Sequence, residues 1–306
     1  MSTTSTESPT VPEPTFANEK NGASAANEES QSTKCKHRCC PICGRDNLNE
    51  PSLQYSQGEW NLKQCSQCTL VYLENAPSYE ALESEFAWEK TYHAEKSRRR
   101  KGKTLSYLLS DAAKKLKFLI RGRKVRAKEQ RFIRRYIGTG RMLDVGCGAG
   151  RTLINLPQSI TPYGIEISPY LAGVSQQYCG PRGGTVVRNN AVDGMDEFDA
   201  DFFDGIMMRA FLEHETEPRT LLDKARRVLR AGGRIIIKVP NYGCVNRVVR
   251  GNRWCGFRFP DHVNYFTPST LQRLIHEVGY RVIRFGWLDR FPLSDNMWMV
   301  IEKPKP

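Results

Sequence analysis

The stretch Arg141-Met-Leu-Asp-Val-Gly-Cys-Gly-Ala-Gly150 decides the fold of this chain. Its first half, residues 141–145, is a short apolar run of the kind that forms a buried strand. The three glycines that follow let the backbone turn sharply and approach a ligand closely, because glycine has no Cβ. Residues 151–156 have helical character. The stretch therefore predicts a strand, a glycine turn and a helix whose first amides face the ligand.

A second carboxylate lies one strand further along the chain. Tyr163-Gly-Ile-Glu166 predicts the next strand, and Glu166 follows Asp144 by 22 residues. An acid about 20 residues beyond the glycine turn binds the ribose hydroxyls in Rossmann-like units. The glycine spacing is G-x-G-x-G, one residue shorter than the dinucleotide fingerprint, which disfavours a nicotinamide cofactor.

Residues 143–150 resemble motif I of the class I S-adenosylmethionine (SAM) methyltransferases. In that family the glycines pass beneath the methionine part of the cofactor, and an acid ending the second strand holds the ribose hydroxyls. Asp144 matches the acid of motif I, and Glu166 matches the strand-end acid. The resemblance implies a SAM site formed by Asp144, Gly146, Gly148, Gly150 and Glu166.

The resemblance continues in the family's order as far as Asn241. Residues 201–208 match the fourth strand, and Arg209-Ala-Phe-Leu-Glu-His214 resembles the family's hydrophobic-Glu-His turn. Residues 221–229 predict a helix with one apolar face, and 235–240 match the fifth strand. The resemblance thereby places Arg209 at the cofactor.

The third strand is predicted at residues 184–188. In the family, the residues just after this strand face the adenine, which here means Asn190 and Ala191. Asn190 stands where the family more commonly has Asp.

The C-terminal part completes a seven-stranded sheet. Thr267 and Pro268 predict the N-cap and first position of a helix that extends to 279. Residues 280–285 and 296–301 predict the last two strands. The fold class is therefore α/β, a Rossmann-like, doubly wound sheet preceded by a small zinc ribbon.

The zinc ribbon is predicted from two cysteine pairs. Cys40-Pro-Ile-Cys43 and Cys65-Ser-Gln-Cys68 are separated by 21 residues, slightly beyond the usual ribbon range of about 15 to 20. Six of the ten cysteines lie between Cys35 and Cys68, and this close pairing favours metal over disulfides. The pattern predicts a closed, structural Zn²⁺ site of four thiolates, with a reactive dithiol as the alternative.

Residues 53–55, 60–64 and 69–72 alternate like the short hairpin strands of a ribbon. Cys35, His37 and Cys39 do not follow ribbon spacing, and we interpret them as a reactive or incidental cluster.

The sequence further resembles bacterial zinc-ribbon methyltransferases. The resemblance rests on the two cysteine pairs, or knuckles, and on Pro240-Asn-Tyr, Arg253-Trp254 and Pro260-Asp-His-Val-Asn-Tyr-Phe266. Many of those occur with saccharide or secondary-metabolite biosynthesis.

The net charge of +13 comes from one segment. Residues 96–135 contain seventeen Lys and Arg against Asp111 and Glu129, a local balance of +15. Helical spacing predicts a basic amphipathic helix over 105–120 and a second helix over 125–136. These helices either cover the catalytic domain with a solvated face or contact an anionic membrane surface, a lipid-linked substrate or RNA phosphates.

Four segments are expected: a disordered tail (1–34), the zinc ribbon (35–75), a basic helical connector (76–136) and the methyltransferase domain (137–306). The N-terminus lacks the basic start and apolar middle of a secretory signal, and no long apolar run could span a bilayer. We expect a cytoplasmic protein, with contact of the basic helix at the inner membrane as a further expectation.

Methyl transfer is an in-line displacement, so alignment matters most and a base is needed only for a poor nucleophile. The base candidates are His214 and His262, with Glu213 and Asp261 as orienting partners. Each histidine has a structural alternative, His214 in capping or packing and His262 in holding its loop. The Asn-Pro-Pro-Tyr-like tetrapeptide of amino-methyltransferases is absent after the fourth strand, which disfavours methylation of DNA bases.

The sequence thus predicts SAM-dependent methyl transfer to oxygen or carbon of a small-molecule or saccharide acceptor, including a lipid-linked one. The first alternative is an RNA methyltransferase in which the ribbon and the basic helices bind RNA phosphates. A non-catalytic SAM-binding or interaction module is the second, and the intact glycines and Glu166 disfavour it.

Overall fold

The N-terminal part folds around the two cysteine pairs in the computed structural model, which describes residues 35–78 and 124–306. This cysteine segment (35–78) contains four short strands: β1 (Cys35–His37), β2 (Leu62–Gln64), β3 (Val71–Leu73) and β4 (Asn75–Pro77). β1 pairs antiparallel with β4, and β2 pairs antiparallel with β3. Residues 53–55, expected to be a strand, enter a turn instead because the Ser56 amide bonds back to the Leu53 carbonyl at 2.9 Å.

A seven-stranded sheet forms the centre of the second part. The strands after the cysteine segment are β5 (Gly140–Val145), β6 (Ile160–Ile165), β7 (Val186–Val187), β8 (Phe203–Arg209), β9 (Leu229–Pro240), β10 (Asn264–Tyr265), β11 (Arg281–Arg284) and β12 (Asn296–Glu302). All except β10 join the sheet, in the order β11-β12-β9-β8-β5-β6-β7, and only β12 runs antiparallel to its neighbours. The order reverses between β5 and β8, the point where ligands bind in open α/β sheets.

Six α-helices are described: α1 (Lys124–Tyr136), α2 (Pro169–Cys179), α3 (Ala191–Gly194), α4 (Pro218–Val228), α5 (Val245–Arg250) and α6 (Pro268–Glu277). The helices expected over 125–136, 221–229 and 267–279 match α1, α4 and α6. The Thr267 hydroxyl accepts from the Thr270 amide at 3.2 Å, which confirms the expected cap of α6. The tail (1–34) and the helix expected over 105–120 lie outside the described residues.

The helix expected after the glycine turn is only a 3-10 turn, Leu153–Asn155. Pro157 explains the difference, because proline forces the preceding residue out of the helical region. Leu156 is accordingly extended, with φ −69° and ψ 143°. The glycine turn is therefore followed by a short loop before β6.

β10 connects the cysteine segment to the rest of the chain. It pairs antiparallel with β3, with Asn264 opposite Tyr72 and Tyr265 opposite Val71. The described residues from 35 onward belong to one compact unit, and buried Leu70 and Tyr72 share an apolar cluster with Leu221 and Leu274 of α4 and α6. Each such fully buried side chain contributes roughly 1.5–3 kcal/mol relative to exposure.

Among the helices of the described residues, none has both the length and the apolar character needed to cross a membrane.

Candidate functional site

The glycine turn lies at the carboxyl end of β5 and adopts left-handed backbone at each expected glycine. Gly146, Gly148 and Gly150 have φ values of +66°, +56° and +70°. A Cβ on Gly146 would lie 2.3 Å from the Phe211 ring, and one on Gly150 would lie 2.8 Å from Tyr178. Among the residues that the structure describes, a Cβ on Gly148 would meet nothing within 4 Å. Packing thus excludes side chains at two glycines, and the described residues leave space beside the third.

Glu166, just after β6, fixes the middle of this turn. Its Oε2 accepts from the Gly148 amide at 2.8 Å, and its Oε1 accepts from the Ser168 amide at 3.0 Å. The side chain is buried, and charge-assisted bonds of this kind hold a carboxylate in one orientation. Glu166 therefore lies beside the open face of Gly148, where it can accept from ligand hydroxyl groups.

Asp144 is buried at the end of β5, between two charged groups that come from other elements. Burial raises its pKa to about 7, and the nearby Arg209 guanidinium opposes that rise. Arg209, at the end of β8, lies 3.5 Å (Nε to Oε2) from Glu129 of α1. The Thr152 hydroxyl donates to Glu129 Oε1 at 3.2 Å. Two acids and one arginine thus meet where the strand order reverses.

Asn190 and Ala191 follow β7 at the same edge of the sheet. The Asn190 side chain caps α3, accepting from the Asp193 amide at 2.9 Å and donating to the Asp193 carboxylate at 2.7 Å. Ala191 is buried. The cap orders this loop near the other strand ends.

The two histidines expected as base candidates are in contact. Their ring centroids are 4.7 Å apart at an interplanar angle of 87°. Nδ1 of His214 lies 2.8 Å from the Asp261 carbonyl oxygen, and Nδ1 of His262 lies 2.7 Å from that of Gly256. Because a carbonyl only accepts, we assign the proton of each neutral ring to Nδ1, which leaves Nε2 as the basic nitrogen.

Burial, and next the Arg258 guanidinium, lower the pKa of His214 to about 4. His214 is therefore neutral at physiological pH, but it is a weak base. Asp261 orients His214 through its backbone carbonyl, whereas its carboxylate pairs with Arg258 at 2.7 Å. Asp261, expected as an orienting partner, thus contacts His214 through its main chain.

Glu213 completes the cluster. It is 1% exposed, and its Oε2 has no hydrogen-bond partner among the residues that the structure describes. Potential ligand atoms of Glu213, His214 and His262 all lie within 4.8 Å of one another. Burial raises the pKa of Glu213 to about 7, so it is a stronger base than His214 and is partly ionised at neutral pH.

The loop that carries this cluster is clamped by β10. The Asn264 amide donates to the carbonyl oxygens of Leu212 at 2.8 Å and Glu215 at 2.6 Å. The Val263 amide donates to the Glu213 carbonyl at 2.7 Å. Arg38, from the cysteine segment, donates to Asn264 Oδ1 at 3.1 Å. The position of Glu213 therefore depends on contacts that begin in the cysteine segment.

The four cysteines expected as metal ligands come together. Sγ of Cys40 lies 3.3 Å from Sγ of Cys68, Sγ of Cys43 lies 3.5 Å from Sγ of Cys65, and all four sulfurs lie within 4.8 Å of one another. A tetrahedral zinc with Zn–S bonds of about 2.3 Å separates its sulfurs by about 3.8 Å. The donor set and its spacing therefore fit a structural zinc ion.

The four thiols are not equivalent without a metal: the neighbouring Cys68 thiol raises the pKa of Cys40, burial raises the pKa of Cys43 to about 11, and the pKa of Cys65 moves the other way. Burial opposes ionisation of Cys65, but the backbone amides of Cys68 and Gln67 lower its pKa to about 7. Each knuckle ends in a left-handed residue, Gly44 at φ +72° and Thr69 at φ +64°. In both turns, backbone amides face the sulfurs.

His37 lies apart from this thiol cluster. Its Nδ1 contacts the Glu74 carboxylate, and its Nε2 lies 3.1 Å from Asp46 Oδ1. With Cys39 and Asp46 it forms a small exposed group. Two carboxylates thus hold the ring of His37.

The main residue that the sequence did not point to is Glu129. It is one of two acids in the basic stretch 96–135, and that isolation is the only signal that could have identified it. Thr152 and Phe211 also reach the glycine turn, and neither has a distinctive pattern.

This chain is similar to several known proteins. A family model described as a methyltransferase domain matches residues 100–284. An uncharacterised protein of Methanocaldococcus jannaschii is 26% identical over 152 residues, covering 50% of this chain and 70% of that protein. An O-methyltransferase of Aspergillus nomiae is 32% identical over 153 residues, covering 47% of this chain and 66% of that protein. A solved SAM-dependent methyltransferase from Archaeoglobus fulgidus has 19% identity and a TM-score of 0.48, covering 58% of this chain and 93% of that one.

Proposed function

Since the chain belongs to the methyltransferase-domain family, we propose that it is a SAM-dependent methyltransferase of class I that methylates oxygen or carbon of a small-molecule or saccharide acceptor. The observation that carries this proposal is the cluster of Glu213, His214 and His262, whose first two members lie in the loop after β8, the loop that packs Phe211 against Gly146 of the glycine turn. The Aspergillus relative, named an O-methyltransferase, supports oxygen as the methylated atom. A lipid-linked saccharide is included in the acceptor class.

The residues around the glycine turn fit SAM. The open space at Gly148 leaves room for the cofactor, and the carboxylate of Glu166 suits ribose hydroxyls. The carboxyl groups of Asp144 and Glu129 can accept hydrogen bonds from the ammonium of the methionine part. We assign the adenine side to Asn190 and Ala191, and we assign Arg209 to holding Glu129 in place. Bound SAM supplies an electrophilic methyl group on a sulfonium.

Proton removal from the acceptor falls to the cluster of Glu213, His214 and His262. The buried Glu213 carboxyl, with its pKa raised to about 7, is half ionised near neutral pH and accepts a proton readily. The reacting hydroxyl gives its proton to Glu213, and the rings of His214 and His262 orient the acceptor by contacting its neighbouring groups. All three residues are thus proposed to contact the acceptor, with Glu213 as the base.

The four cysteines are proposed to hold one structural Zn²⁺. Four thiolates close the coordination sphere, so the ion supplies stability and takes no part in methyl transfer. The ligands are Cys40, Cys43, Cys65 and Cys68. Cys65 and Cys68 lie in the turn that joins β2 to β3.

Calorimetric titration of the zinc-loaded chain with S-adenosylhomocysteine (SAH) tests the cofactor site. We expect micromolar affinity that is lost in Asp144→Ala and Glu166→Ala and kept in Asp199→Ala, which changes an exposed acid. A folded wild-type chain that does not bind SAH would refute the assignment. Acceptors are then screened by SAH release, and methyl incorporation that disappears on RNase treatment would replace the saccharide with RNA.

A further inference from the structure

Exposed apolar side chains are concentrated on one face. Of the eight large apolar side chains most exposed in the described part of the chain, six come from two short segments. They are Val245 (43%), Val248 (67%), Val249 (77%), Trp287 (62%), Leu288 (76%) and Leu293 (58%). Single exposed apolar residues are ordinary, but a contiguous group marks an interaction surface.

The two segments, residues 245–250 and 287–293, form one surface, which we call the valine-tryptophan face. The Val245 amide donates to the Pro292 carbonyl at 2.9 Å, and the Asn246 side chain donates to the Leu293 carbonyl at 3.1 Å. The Trp287 and Phe291 rings pack with centroids 5.8 Å apart. These contacts hold α5 beside the turn that precedes β12.

The charge on this face is positive. Residues 243–253 and 286–294 contain four arginines and one acid. The acid, Asp289, is buried, and Arg284 and Lys128 neutralise it at 2.8 and 3.1 Å. Arg253 and Arg290 are exposed and Arg250 is half-buried, so the apolar side chains are rimmed by cations.

The positive charge of the valine-tryptophan face favours an anionic partner over a second copy of the chain. A second copy of the chain would set Arg250, Arg253 and Arg290 against the same residues across a two-fold axis. An anionic bilayer surface instead offers phosphates to the arginines and an apolar boundary to Trp, Val and Leu.

We propose that the valine-tryptophan face docks on an anionic membrane surface, with α5 and the 287–293 turn lying in the interface. β9 ends at Pro240 and α5 follows it, so docking brings the carboxyl edge of the sheet, and with it the candidate methylation site, close to the membrane. Docking depends on no residue assigned to cofactor binding, so it stands or falls separately from the proposed methyl transfer.

Vesicle co-sedimentation of the full, zinc-loaded chain tests this proposal. Binding is compared on vesicles of phosphatidylcholine alone and of phosphatidylcholine mixed with phosphatidylglycerol. We expect binding only to the mixed vesicles and at least about tenfold weaker binding by a Val249→Asp/Leu288→Asp double variant. Leu48→Asp, which changes an exposed leucine in the cysteine segment, should bind like the wild type.

Circular dichroism and thermal unfolding of each variant confirm that it is folded, as expected because the changed side chains are exposed. Equal binding by the double variant and the wild type would overturn the proposal, as would failure of the wild type to bind the mixed vesicles. A dimer that the double variant abolishes would show that the face is instead an interface between two copies.

Discussion

Glu213 is the side chain in which burial and function conflict most clearly. Its Oε2 is enclosed without a hydrogen-bond partner in the described residues, while His214 and His262 lie beside it. An unsatisfied buried carboxylate is costly, and the protein compensates by raising the pKa of Glu213 to about 7. The group therefore remains part of the cluster at a cost in stability that depends on pH.

Glu213→Gln should lower kcat and raise stability at alkaline pH. The folded-state pKa of about 7 exceeds the unfolded value of 4.5, so the folded state binds the proton more tightly. Wild-type stability therefore falls as pH rises from 4.5 to about 7 and is level above that. The difference between the folded and unfolded pKa values corresponds to roughly 3 kcal/mol in the free energy of unfolding.

We expect the Gln variant to be the more stable by up to that amount at pH 8 and similar to the wild type at pH 5, as measured by urea unfolding. Glu197→Gln, which changes an exposed acid, is the control. A parallel pH dependence in Glu213→Gln and wild type would assign the effect to other groups.

Thr69→Gly should stabilise the zinc-loaded protein by about 1 kcal/mol, because a non-glycine residue in left-handed backbone costs about 1–2 kcal/mol. Thr69 has φ +64° at the position where the first knuckle has Gly44 at φ +72°. Guanidinium unfolding measures the gain, and Gly44→Thr is the matched reverse change, expected to destabilise. Lower stability of Thr69→Gly would mean that the threonine side chain makes compensating contacts.

At the scale of elements, β10 shows how a very short strand can organise a site. Its two residues pair with β3, and the Asn264 side chain donates to two carbonyl oxygens of the loop that carries Glu213 and His214. The strand therefore acts as a brace between the cysteine segment and the candidate catalytic loop.

Asn264→Ala should lower kcat by at least about tenfold while leaving SAH affinity nearly unchanged, because the loop shifts but the glycine turn does not. Leaving two buried carbonyls without donors should also cost about 2 kcal/mol or more. Steady-state kinetics and SAH calorimetry together measure this, with the exposed Asn252→Ala as control. Equal losses in kcat and SAH affinity would argue for general unfolding rather than a local brace.

The sequence predicts the elements whose signal is local. Continuous apolar runs specify β5 and β8 because parallel strands are buried on both faces, and Thr267-Pro268 specifies the start of α6. The expected helix after the glycine turn fails because Pro157 outweighs the helical character of the residues before it.

Non-local contacts could not be predicted in the same way. No periodicity in the sequence predicts that a two-residue strand, β10, pairs with β3. Nor does any pattern predict the ion pair between Glu129 of α1 and Arg209. Of the candidate site, the strand-end acids and glycines follow from spacing. The raised pKa of Glu213 and the lowered pKa of His214 depend on burial that only the folded chain creates.

At the scale of the whole molecule, the cysteine segment and the sheet share one core. Cys40, Leu70 and Tyr72 belong to the same buried cluster as residues of α4 and α6. The Arg219 guanidinium also donates to the Ile42 carbonyl at 2.9 Å. Loss of structure around the thiols should therefore spread into the catalytic part.

Metal removal should lower the melting temperature of the entire unit in a single transition and abolish methyl transfer. Differential scanning calorimetry with and without a zinc chelator measures the first effect, and SAH release measures the second. Cys43→Ser should reproduce the chelated state, whereas Cys255→Ser, at an exposed cysteine, should not. Two separate transitions, or full activity in chelator, would show that the segment is energetically independent.

The pairing of β3 with β10 also limits how such chains can be recombined in the laboratory. A fragment beginning at residue 124 would keep every strand of the main sheet but leave β10 without a neighbour and Asn264 without Arg38. A chimera that takes its cysteine segment from a relative would need the matching β10 and the loop that Asn264 clamps. Acceptor specificity should therefore be transplanted as a linked set of three segments, and exchanging any one of them alone should give poorly folded or inactive hybrids.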